Sequence, residues 1–157
     1  MSSGRHSVSF GVDLAGLNAQ LDRLGDAAEA AARPAAQAVA QVYYEAARGF
    51  APRSKAGHWF HGTSFKINGK KYWFNAGTLA GSIYQVYSKD NSGKGVAQYH
   101  VSWNHKKAPY GAMVEFGTTT APANSFIRRA AADAGVASRA LAAGEQVLMD
   151  KIAEAAR

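Results

Sequence analysis

Leucines set the first pattern in the chain. Leu14, Leu17, Leu21 and Leu24 recur at alternating spacings of three and four, which places them on one helical stripe. Asp13 stands where a helix cap belongs and Gly25 where a stop does. A second helix is predicted from Asp26 to Ala47, with Pro34 either kinking it or occupying its first turn. Beyond Pro34, the residues Val39, Val42, Tyr43, Ala46 and Phe50 form an apolar face among alanines, and Gly49 and Pro52 close the helical region.

The period then changes. Phe65 and Ile67 precede Asn68-Gly69, and Tyr72, Trp73 and Phe74 follow it, the pattern of a hairpin whose turn needs positive φ. Two further strands are expected, Ser82 to Ser88 and Val96 to Trp103, joined by a mobile polar loop from Lys89 to Gly95. Tyr110 to Phe116 reads as a short helical turn ended by Gly117. Asn124 or Ser125 is the expected cap of a helix carrying Phe126, Ile127 and Ala130. After Gly135 a last helix carries Leu141, Val147, Leu148 and Ile152, weakened in its middle by Gly144. Helices, then strands, then helices predict an α+β fold, with N-terminal and C-terminal helices packed on an antiparallel β-sheet. No internal repeat is visible.

Length and composition narrow the picture. The 157 residues suit one domain, residues 11–157, behind a polar, flexible leader over residues 1–10. There is no cysteine, which excludes disulfides and thiolate metal sites. No apolar run reaches about eighteen residues, so no membrane-spanning helix is expected. The formal charge of +7 raises the prospect of an acidic partner, but the charges are scattered. Their densest groups are Lys66, Lys70 and Lys71, and then Lys106 and Lys107. A solvated surface is the preferred reading of them.

Candidate chemistry is sparse. His58 and His61 have a spacing that two metal ligands can use, yet glycines flank them and no neighbouring carboxylate completes a site. His100 and His105 would suit a metal-dependent nuclease only if an acidic residue such as Asp90 or Glu115 joined them in space. Ser54, Ser64 and Ser82 lack a nucleophile-elbow pattern, and Gly93 and Gly95 do not form a phosphate-cradling loop. The reading is therefore of a protein that is not an enzyme and holds no cofactor or metal. In the hairpin, Lys66, Lys70 and Lys71 beside Tyr72 and Trp73 could contact phosphates and stack on bases. The preferred reading is simpler: the aromatics pack inward and the lysines remain in water.

Ordered motifs carry more information than any single residue. Ala51-Pro52 closes the helical region, and Gly77-Thr78-Leu79-Ala80-Gly81-Ser82-Ile83 opens the sheet. Then come Ala108-Pro109-Tyr110-Gly111-Ala112-Met113-Val114-Glu115-Phe116-Gly117-Thr118 and Asn124-Ser125-Phe126-Ile127-Arg128-Arg129-Ala130. This order resembles the tail-component family of long-tailed bacteriophages, neck and tail-completion proteins similar to the minor tail protein Z of phage lambda. The resemblance runs from about Leu14 to the C-terminus.

Two departures stand out. Residues 57–76 intervene as an inserted hairpin where the family passes directly from alanine-proline to the leucine and the Ser-Ile pair. Tyr110-Gly111-Ala112 and Ser125-Phe126 replace the family's tyrosine-alanine and proline-phenylalanine pairs. Gly117 is expected to allow a sharp exit after Phe116, and Phe126 to anchor its helix on the sheet. Glu115, the one charge within the Ala108–Thr118 motif, either pairs with an arginine within or between subunits or faces solvent.

The resemblance implies a structural virion protein, a subunit of a closed homo-oligomeric ring that joins the portal or connector side of the head to the tail tube. A hexamer is the first expectation and a dodecamer the second. Neighbouring head-completion and tail-terminator or tail-tube proteins would be its partners, and phage DNA would pass through without sequence-specific contact. Assembly would take place in the host cytoplasm, and no membrane is involved. Expected subunit or ring contacts are Glu115, Phe116, Lys66, Lys70, Lys71, Tyr72 and Trp73. The inserted hairpin would meet a neighbouring ring or face the DNA channel. The alternatives are a basic DNA-binding module and a small metal-dependent nuclease.

Overall fold

In a computed structural model, which describes residues 15–60 and 69–157, the first element is one long helix. It is α1, Ala15–Phe50, and it replaces the two helices that Gly25 and Pro34 suggest. Pro34 lies inside it and offers no N–H to the Ala30 carbonyl. Gly25 costs a further ~1 kcal/mol relative to alanine. Packing outweighs these local signals, because Ala31 and Ala40 are buried on either side of Pro34. The expected Asp13 cap lies outside the described residues.

Nothing else touches as much of the fold as α1 does. One side lies against the C-terminal helix, and others meet the main hairpin and the short helices. The inserted segment contributes β1 (His58–Trp59) and β2 (Trp73–Phe74), a two-residue antiparallel ladder. The expected turn falls at the edge of the described residues: Phe65, Ile67 and Asn68 lie outside them, and Gly69 has φ +75°. A short helix, α2 (Thr78–Ser82), follows.

The main hairpin is β3 (Ile83–Gly93) with β4 (Val96–Trp103), paired antiparallel. Its register sets Ile83 opposite Trp103, Gln85 opposite Val101 and Tyr87 opposite Tyr99. These residues share one pleat face, turned toward α1, while Tyr84, Val86 and His100 lie exposed on the other. The mobile loop expected over residues 89–95 is corrected here. Strand β3 continues to Gly93, and the connection is Lys94-Gly95, both at positive φ. A register shift between Ser88 and Gly93 absorbs the surplus residues. The Ser92 hydroxyl holds this bulge by donating to the Ser88 carbonyl and accepting the Gln98 N–H.

Three helices complete the chain: α3 (Gly111–Phe116), α4 (Ile127–Ala132) and α5 (Ala134–Ala155). The Asp133 carboxylate caps α5 by accepting the Val136 N–H at 2.9 Å. Gly144, which reads as a weak point in the sequence, is a point of close approach between α5 and α1. A Cβ there would lie 2.6 Å from Cγ2 of Val39 on α1, so only glycine fits this spacing without displacement. The fold is α+β, helix-rich with two small antiparallel sheets. Among the described residues no helix is long and apolar enough to cross a membrane.

Candidate functional site

Two places concentrate the unusual chemistry. The first is the junction between α3 and α4, built by the motif around Glu115. Helix α3 ends at Gly117, whose φ of +79° turns the chain sharply, as expected. A Cβ on Gly117 would sit 2.7 Å from the Ala123 nitrogen. The reversal is held by the Thr118 N–H donating to the Ala121 carbonyl at 2.8 Å and the Asn124 N–H to the Val114 carbonyl at 2.8 Å.

This turn brings the Glu115 carboxylate under the first turn of α4. Oε2 accepts the N–H groups of Phe126 and Ile127 at 2.8 and 3.0 Å, and Oε1 accepts the N–H of Arg128 at 2.9 Å. The guanidinium of Arg128 adds an Nε contact to Oε1 at 3.3 Å. These N–H groups have no carbonyl partner within α4, so the carboxylate satisfies them while its charge meets the positive end of the helix. The expected cap, Asn124 or Ser125, is therefore corrected to Glu115. Ser125 instead donates its hydroxyl to the Glu115 carbonyl at 2.7 Å.

Glu115 is 1% exposed. Burial by itself pushes the carboxyl up. The backbone donors of Arg128, Ile127 and Phe126, with the Arg128 side chain, outweigh it and hold the group below the usual carboxylate range. Of the two roles read from sequence, the arginine pair within the chain is present, and the carboxylate does not reach the surface. Phe116, next to it, is 62% exposed and lies under the Arg128 guanidinium at 4.9 Å.

The second place is the inserted segment. Phe74 turns inward and meets Tyr110 edge-on at 4.8 Å. Burial pushes the Tyr110 phenol up, an effect opposed by the backbone of Leu79. Phe60 joins them, part-buried, at 6.0 Å from Phe74 and 6.4 Å from Tyr110 between ring centres. Tyr72 and Trp73 do not pack inward, which overturns that part of the simpler sequence reading. Trp59, Tyr72 and Trp73 are 37%, 41% and 50% exposed. A ladder only two residues long covers one aromatic, Phe74, and leaves its neighbours in water. Lys70 and Lys71 are exposed beside them, and Lys66 lies outside the described residues. Trp59, not singled out in the sequence, joins this surface because the ladder pairs it with Trp73.

The described histidines lie on different segments of the chain. His58 lies near Phe74 at 6.5 Å between ring centres, His100 is exposed opposite Val86, and His105 is exposed beyond β4. His61 is outside the described residues. Among the described residues no group of three His, Asp or Glu side chains converges. A groove of about 510 Å³ runs between α1, β4 and α4, lined mainly by apolar groups such as Val39, Tyr43, Val101 and Ile127. Comparison of the chain with protein-family models, with curated proteins and with solved structures finds no match.

Proposed function

We propose that the chain is a structural subunit of a tailed-bacteriophage virion, a neck or tail-completion protein that forms a closed ring between the connector side of the head and the tail tube. One observation carries this reading. Motifs separated by up to 79 residues in sequence, from Ala51 to Ala130, supply nearly all of one buried cluster. Its members are Ala51, Leu79, Ala80, Ile83, Ala108, Phe126 and Ala130, joined by Ala47 alone from outside the motifs. A chance string of short matches has no reason to select the core. A shared fold does, because the residues that fix packing are the ones it constrains.

The role is positional, and no reaction is assigned to it. Phe116, Met113, Leu141 and Met149 are large apolar side chains left 45% exposed or more, surface that suits burial against neighbouring subunits. The β3–β4 sheet has two strands, so both of its outer edges are without a strand partner among the described residues. Identical subunits meeting head to tail through such surfaces make a ring when the rotation closes. Solution mass measured across concentration, together with negative-stain imaging, tests the proposal. Closed rings with a central hole, six subunits first and twelve second, are expected. A monomer at every concentration, with or without tail tubes present, would overturn the ring.

A further inference from the structure

The excess of bases over acids falls in one part of the chain. Seven of the eighteen basic residues lie between Arg48 and Lys89, a stretch with no aspartate or glutamate. The other eleven bases match the eleven acids, so the whole formal charge of +7 belongs to this stretch. The β1–β2 ladder presents part of it beside aromatic rings. Lys71 Nζ lies 5.9 Å from the centre of the Trp59 ring, and Trp59 meets Trp73 edge-on at 5.2 Å.

The ring of Trp73 is also fixed in place. Its Nε1–H donates to Asn75 Oδ1 at 3.0 Å, and Gly57 leaves the room it occupies, since a Cβ there would fall 2.5 Å from the ring. A held pair of edge-on rings with cations beside it, in a stretch of sequence without aspartate or glutamate, matches a partner that carries both negative charge and flat faces. An apolar protein surface would match the rings but leave the lysines without counter-charge. A duplex offers phosphates but keeps its base faces stacked.

We propose that this face of the inserted segment binds a nucleic-acid strand with unpaired bases, Lys70 and Lys71 contacting phosphates while Trp59 and Trp73 stack on bases. The surface belongs to a single chain, so a monomer would bind as a ring would, and loss of one property leaves the other intact.

The experiment is a titration of the full chain with an oligothymidylate of about twelve nucleotides at about 50 mM salt. Tryptophan fluorescence and oligonucleotide anisotropy are read together. Quenching is expected, with affinity falling about tenfold between about 50 and 200 mM salt for a few phosphate contacts. The double variant Lys70→Glu/Lys71→Glu, at two exposed positions, should weaken binding at least tenfold with an unchanged circular dichroism spectrum. Trp59→Ala should lose part of the quenching and retain the salt dependence. No binding at low salt, equal binding by the charge-reversed variant, equal affinity for inorganic polyphosphate, or tighter binding of a duplex of the same length would each overturn the proposal.

Discussion

Glu115→Gln is expected to lower the unfolding free energy at neutral pH by about 3 kcal/mol, the scale of breaking a buried charge-assisted network. Glutamine preserves the shape and removes the function. Each carboxylate oxygen faces backbone N–H donors, two at Oε2 and one at Oε1 beside the Arg128 Nε. Whichever way the amide turns, its NH2 points at a donor. Arg128→Ala should cost far less, under about 1 kcal/mol, because that side chain is 57% exposed and solvent screens its charge. Denaturant titration of the two variants at unchanged m-value separates a cap from an ion pair. Equal losses would mean that the ion pair, and not the cap, holds the junction.

The same carboxylate makes stability depend on pH. Its folded pKa lies below the ordinary value of 4.5, so in acid the unfolded chain binds the additional proton first. The contribution is therefore complete above the unfolded value and is lost as the pH falls through the folded one. The stability gap between the native chain and Glu115→Gln should be constant near neutrality and close progressively below about pH 4.5. A gap that stays constant into strong acid would contradict the cap.

Phe126→Ala should cost about 4 kcal/mol. The ring is 0% exposed and packs edge-on against Trp103 at 5.7 Å. Alanines make up most of its cluster: Ala47, Ala51, Ala80, Ala108 and Ala130. Such short side chains cannot swing in to fill the space, so the cavity stays open and the loss lies toward the upper end of the range. Thermal and denaturant unfolding give the value directly, and a loss below about 1 kcal/mol would show that this cluster is not the core. Paired with Glu115→Gln, the loss should fall short of the sum, since both changes act on the first turn of α4.

Legibility in the sequence followed the range of the forces involved. The β3–β4 hairpin was readable because Ala97–Trp103 alternates apolar and polar residues and Ile83–Tyr87 is rich in β-branched and aromatic ones. The connection was misjudged because Asp90-Asn91-Ser92-Gly93 has the composition of a turn, while its strand is held by the partner β4 and by a serine that bridges the bulge. Gly25 and Pro34 signalled helix ends that packing along α1 overrides. Gly144 looked like a weakness because its reason, Val39 on another helix, lies 105 residues away in sequence.

In the candidate site, Glu115 was visible as the one charge in its motif, and an arginine partner was anticipated. Its main partners were not readable, since they are backbone N–H groups that carry no sequence signature. The exposed tryptophans were missed for the opposite reason. Alternation promised them a covered face, and the two-residue ladder between His58–Trp59 and Trp73–Phe74 is too short to provide one.

Electron microscopy of particles assembled from a genome lacking this chain tests the neck assignment most directly. DNA-filled heads and complete tails that remain separate are expected, with joining restored when the native protein is supplied. Joined, infectious particles at normal yield in its absence would contradict the assignment.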